Sequence, residues 1–223
     1  KVPPVLWFGD LNAEKPKVVV ISANPHNPER CICKTQVWDE NNPNIPQLIE
    51  DYNNYFKQGN NPATNWFGQN SNEHKAENQA RIEDFLNGLG ASFYDKNDEE
   101  KYPYQAIHID LLPLATTTDF SKIAKDLMEI NGLPEFIKYH IRELIKLIRP
   151  ELVIVNGITN KKYFEKCLEV KASKEPKFYE SSTVNKKKKY NRRIWDFDNI
   201  EDSKVIAISR NMGTSCRVNK ESL

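Results

Sequence analysis

Lys17-Val18-Val19-Val20-Ile21-Ser22-Ala23-Asn24-Pro25-His26-Asn27-Pro28 joins a short aliphatic run to an asparagine-proline turn. The run lacks polar alternation and has the length of a strand buried on both faces. Strands of this kind belong to parallel sheets covered by helices on both sides. In such sheets ligands bind beyond the carboxyl ends of the strands. Asn24 stands at that end, with a short amide side chain that can orient water.

The same switch from aliphatic to polar recurs along the chain. Residues 106–112, 152–155 and 205–208 read as further buried strands. Residues 5–8 read as an edge strand ahead of a Gly9-Asp10 turn. Between them, helices are predicted over 46–57, 73–89, 120–130, 134–148 and from Gly157 to about Leu168. The clearest is 134–148, with Pro134 in its first turn and Ile137, Ile141, Leu144, Ile145 and Ile148 as one apolar stripe. Residues 177–197 read as an exposed hairpin or excursion. Strands separated by helices imply parallel pairing with helical crossovers. All strand carboxyl ends then share one edge, where segments 22–27, 110–118, 156–157 and 209–215 converge.

Composition narrows the class. The 223 residues show no Gly/Ser/Pro-rich linker, so a single domain over 1–223 is expected. A formal charge of +1 excludes a molecule that binds polyanions through its net charge. The concentrated basic patch is local: Lys186, Lys187, Lys188 and Lys189 with Arg192 and Arg193, interleaved with Tyr190 and Trp195. It suits phosphate contacts from a hairpin, or else is a solvated loop. No apolar run approaches the roughly 20 residues of a membrane span. With no secretory leader visible and only Cys31, Cys33, Cys167 and Cys216 as cysteines, the expected compartment is the reducing cytoplasm. The Cys-x-Cys spacing is tighter than that of structural zinc sites, so neither a metal nor a cofactor is expected. P-loop, dinucleotide-fingerprint, zincin and nucleophile-elbow motifs are absent from the sequence.

Taken in order, five stretches carry a family likeness. Trp7-Phe8-Gly9-Asp10 precedes the run from Val18 to Pro25. Ile107-His108-Ile109-Asp110 leads into Leu112-Pro113-Leu114. Then come Arg149-Pro150-Glu151-Leu152-Val153-Ile154-Val155-Asn156-Gly157 and Val205-Ile206-Ala207-Ile208-Ser209-Arg210-Asn211. This succession resembles the motifs of the uracil-DNA glycosylase superfamily, in a divergent branch. Three positions depart from it. Ser22 stands where the family usually has Gly, Asp110 where classical uracil enzymes have Asn, and the last motif lacks His-Pro-Ser.

The resemblance implies a three-layer α/β/α sandwich with a mostly parallel central sheet. It implies hydrolysis of the N-glycosidic bond of a modified or mispaired base in DNA by an oriented water. In that reading Asn24 orients the water, Asp110 reads the base edge, and Arg210 and Asn211 stabilise the departing base. Ser22, His26, Phe67 and Asn156 line the substrate site, with Phe67 or its neighbour Trp66 stacking on the base. Lys187, Lys188, Arg192 and Arg193 hold the DNA backbone. The departures favour an alternative: a non-catalytic nucleic-acid or nucleotide binder on the same scaffold. Each residue also has a plainer reading. Asn24 can simply start a turn, Asp110 can cap a helix, Trp66 and Phe67 can anchor a loop, and His26 and Arg210 can be solvated.

Asp110 bears most directly on the ligand. Uracil offers acceptor, donor and acceptor along its pairing edge, which an amide complements. An ionised carboxylate only accepts. It suits an exocyclic amino group, or must bind in its protonated form.

Overall fold

The computed structural model describes residues 6–23, 46–47, 50, 53–54, 77–94, 100–113, 120–182 and 189–209. Within them the chain runs β1 (Lys17–Ser22), α1 (Glu77–Gly88), β2 (Ala91–Ser92), β3 (Tyr104–Asp110), α2 (Phe120–Leu127) and α3 (Leu133–Ile148). It continues as β4 (Leu152–Asn156), α4 (Ile158–Leu168), β5 (Lys177–Ser182), β6 (Lys189–Asp196) and β7 (Lys204–Ile208). The seven strands form one sheet in the order β2-β3-β1-β4-β7-β6-β5. The first five in that order pair in parallel, and β6 and β5 complete it antiparallel.

Both faces of the sheet are covered, which is why β1 needs no polar alternation. Val19 and Ile21 pack with Ile109, Val153 and Val205 against apolar residues of α2, α3 and α4. Val18 and Val20 pack with Ala106, Ile154 and Ile206 against Ile82, Phe85 and Leu86 of α1. The result is the expected α/β/α arrangement. α3 forms where its stripe demands: Phe136, Ile137, Ile141, Leu144 and Ile145 are all buried. Pro134 opens its first turn, and Arg149 in a left-handed conformation closes it by donating its N–H to the Ile145 carbonyl.

The structure corrects four readings. Residues 5–8 are not a strand in their described part; Phe8 alone makes an antiparallel bridge, to His108. One residue cannot propagate a ladder, but its two hydrogen bonds, 2.7 and 3.0 Å, seal the β3 edge beyond the short β2. Gly9 follows with φ +120°, and a Cβ there would lie 3.0 Å from Ile107 Cδ1, so only glycine lets this segment sit so close. The hairpin over 177–197 forms as β5 and β6, but it belongs to the sheet, because Ile194, Trp195 and Asp196 pair with β7. Trp195 is consequently a core residue at 8 % exposure, not an aromatic offered to nucleic acid. Its outer partner is Lys161, whose ammonium lies 5.0 Å from the ring centroid. The strand over 106–112 begins earlier and ends at Asp110, so Asp110 caps no helix.

Candidate functional site

The chain leaves β1 toward β3 on one side, and leaves β4 toward β7 on the other. The β1/β4 boundary is therefore the topological switch point, where an open parallel sheet holds a crevice at its carboxyl edge. Register places the polar strand ends beside it. Ser22 pairs with Asp110, and Asn156 with Ile208. Ile21 pairs with Val155, so Ser22 and Asn156 come next on adjoining strands. Side chains two apart on a strand share a face. Asp110, Ser22 and Asn156 thus form a row on the face that packs against α1.

The end of β3 is held from three directions. The Leu111 and Leu112 amides donate to the carbonyls of Ser22 and Ala23, each at 2.9 Å, which prolongs the β1–β3 contact into the turn. From α3, His140 Nε2 reaches the Asp110 carbonyl at 3.2 Å. A carbonyl only accepts, so this nitrogen carries a proton. His140 is fully buried, and burial pushes its pKa down to about 3, against a smaller upward effect of that hydrogen bond. His140 is neutral at physiological pH, a fixed strut stacked on Phe136 with ring centroids 6.3 Å apart.

The third hold falls on the Asp110 side chain. Its Oδ1 lies 3.2 Å from His108 Nε2, with the two side chains 4 % and 12 % exposed. Phe8 and Phe93 lie against the His108 ring at centroid distances of 5.2 and 6.2 Å. Both histidines escaped sequence reasoning. His140 is hidden in the apolar stripe of α3, between Phe136 and Leu144. His108 had a signal: a His-x-Asp pair on a predicted strand must share a face.

Asn156 is 1 % exposed, and its carbonyl accepts from Asn160 Nδ2 at 2.6 Å. The next residue, Gly157, has φ 101° and ψ 151°, a conformation confined to glycine. Its N–H donates to the Ile208 carbonyl at 3.1 Å and its carbonyl accepts from Lys161 at 2.9 Å. One strained residue thus ties β4, β7 and the start of α4 together. Gly157→Ala is expected to cost about 1–3 kcal/mol in chemical denaturation. A loss near zero would show that the backbone here can relax without penalty.

At the end of β7, Ser209 donates its amide to the Arg193 carbonyl and accepts the Arg193 amide on Oγ, at 2.9 and 3.0 Å. This fixes exposed Arg193 at the carboxyl edge, on the Trp195 face of the sheet and opposite the row of Asp110, Ser22 and Asn156. The backbone of Arg192 lies in β6, while its side chain falls outside the described residues. Asn24, His26, Trp66, Phe67, Lys187, Lys188, Arg210 and Asn211 also lie outside them. Cys167 is buried against Met128, with Sγ to Sδ 3.4 Å, and burial pushes its thiol up to about 12, so it is a packing residue.

A cavity of about 660 Å³ opens at the opposite edge of the sheet, lined by Lys146, Arg149, Glu151, Glu201, Asp202 and Ser203. It precedes the starts of β4 and β7, at the other end of the strands from Asp110, Ser22 and Asn156. Among the described residues no helix is long and apolar enough to cross a membrane. No protein-family model matches the chain, and no curated protein matches it.

Proposed function

We propose that this chain hydrolyses the N-glycosidic bond of a modified or mispaired base in DNA. The observation that carries the reading is the placement of Asp110. A buried carboxylate ends β3 in register with Ser22, on the strand that leads directly to Asn24. The order of the sequence motifs supplies the chemistry. Asn24 orients a water oxygen toward the anomeric carbon. The water oxygen bonds to that carbon as the carbon–nitrogen bond breaks, the broken bond's electron pair leaves with the base, and the proton the water gives up passes to the released base. Asp110 holds the base edge, and Arg210 and Asn211 stabilise the charge that develops on it. Extruding a base lets the enzyme reach a bond that the duplex shields. Exposed Arg193, with Lys187, Lys188 and Arg192, contributes phosphate contacts.

A second reading has support of its own: a binder of nucleic acid or nucleotide without catalysis. Ser22 replaces the glycine that would allow closest approach, and it stands directly beside Asp110. An excision assay separates the two. The panel carries uracil, hypoxanthine, xanthine and mispaired thymine, cytosine and adenine in otherwise identical duplexes. Release of one base, reduced about 100-fold by Asn24→Ala, is the result expected of an oriented-water hydrolase. No release, with binding that weakens steeply as salt rises, would assign the chain to the second reading.

A further inference from the structure

We propose that His108 is a positioning residue that holds Asp110 as an acceptor-only carboxylate, so that the crevice selects a base presenting an exocyclic amine over one presenting a carbonyl. This rests on the reading of Asp110 as the residue that meets the base edge.

The tautomer of His108 follows from its surroundings. Nε2 faces Asp110 Oδ1 at 3.2 Å. Nδ1 is buried and has no hydrogen-bond partner. A proton on Nδ1 would be a buried donor without an acceptor, whereas a proton on Nε2 is satisfied by the carboxylate. A proton on Nε2 rather than on Nδ1 is therefore favoured. That proton needs a bare acceptor oxygen at Oδ1.

The ring has little freedom to abandon this pose. Phe8 and Phe93 lie against it, and the His108 backbone is bonded in both directions to Phe8. Among the described residues His108 is the donor to the Asp110 carboxylate, whose other lone pairs still call for donors. A ring carbonyl set against them would oppose two acceptors, while an amine supplies the missing donor. By donating to Oδ1, His108 thus presents Asp110 as an acceptor, and the selectivity follows.

The apo protein tests the first half, without reference to catalysis. Long-range proton–nitrogen spectra of the labelled chain at neutral pH should show His108 protonated at Nε2 and bare at Nδ1. A proton on Nδ1 would overturn the proposal. The second half uses matched nucleosides that differ by amine against carbonyl: deoxycytidine with deoxyuridine, and deoxyadenosine with deoxyinosine. Titrations followed at the Asp110 amide should favour the amine member by about tenfold or more. His108→Gln, which keeps a donor near the Nε2 position, should retain that preference. His108→Leu should erode it, and Asp110→Asn should abolish or reverse it. Equal binding within each pair, binding of neither member of either pair, or a preference untouched by His108→Leu would each overturn the proposal. Because the readout is binding, a chain that excises no base can still satisfy it. A chain that excises uracil without this preference would keep the proposed activity and lose this inference.

Discussion

Acidification from pH 7 is expected to remove about 2 kcal/mol of stability by pH 5 and about 3 kcal/mol by pH 4 through His140 alone. The unfolded chain protonates this imidazole near pH 6.5, its ordinary value, whereas the folded chain resists until about pH 3 because burial disfavours the charged ring. Between those limits the unfolded state binds the extra proton. Stability therefore rises with pH across the window, and falls by about 1.4 kcal/mol for each unit of acidification below pH 6.5. Above it the contribution is complete, and below about pH 3 the loss levels off. His140→Gln keeps a donor for the Asp110 carbonyl and removes the titration. Urea unfolding at a series of pH values should show a flatter acid limb for this variant, by close to one proton. Parallel limbs for the two proteins would mean that His140 is not the source.

The consequence reaches the candidate site because His140 grips the last residue of β3. Removing it frees the carbonyl of the residue whose carboxylate faces His108. Two histidines on opposite faces of the sheet thus act on the main chain and side chain of one aspartate.

How far the sequence disclosed this arrangement depends on what each residue must satisfy. Val18 to Ile21 was legible because a continuous aliphatic run can be buried on both faces only in the interior of a sheet. The stripe of α3 was legible because helical periodicity over sixteen residues has few competitors. The carboxyl edge followed from those two, since parallel strands must end together. β2 was not legible: two residues, Ala91 and Ser92, carry no period, and they pair only because β3 offers an open edge. The β5–β6 hairpin was half legible. Lys189 to Asp196 looks solvated by composition, yet Ile194 and Trp195 face opposite covered sides of the sheet. Charge patterning fits exposed Arg193 and misled at Trp195. Asp110 could be singled out by its type, but its hold by His108 and His140 depends on packing between elements that no local pattern encodes.

Phe136→Ala should produce the largest single loss, about 3–5 kcal/mol in urea unfolding. Phe136 is among the largest fully buried side chains, at 1 % exposure on the inner face of α3. Truncation removes the transfer energy of the ring and leaves a cavity between α3 and the sheet, where neighbours such as Leu133 and Ile137 are held by their own contacts. A loss under about 1 kcal/mol would indicate that the helix collapses onto the gap. The variant should also act beyond bulk stability, because the ring stacks at 17° on the imidazole of His140. Without it, water gains a route to His140 and the penalty on the charged ring falls. Phe136→Ala should then weaken the acid dependence assigned to His140, and its cost should not add to that of His140→Gln at low pH. Simple additivity at both neutral and acid pH would show that the two rings stabilise the fold independently. The predicted coupling instead makes Phe136 the base of a column running through His140 to the Asp110 carbonyl, by which the core of α3 sets the position of the candidate base-reading residue.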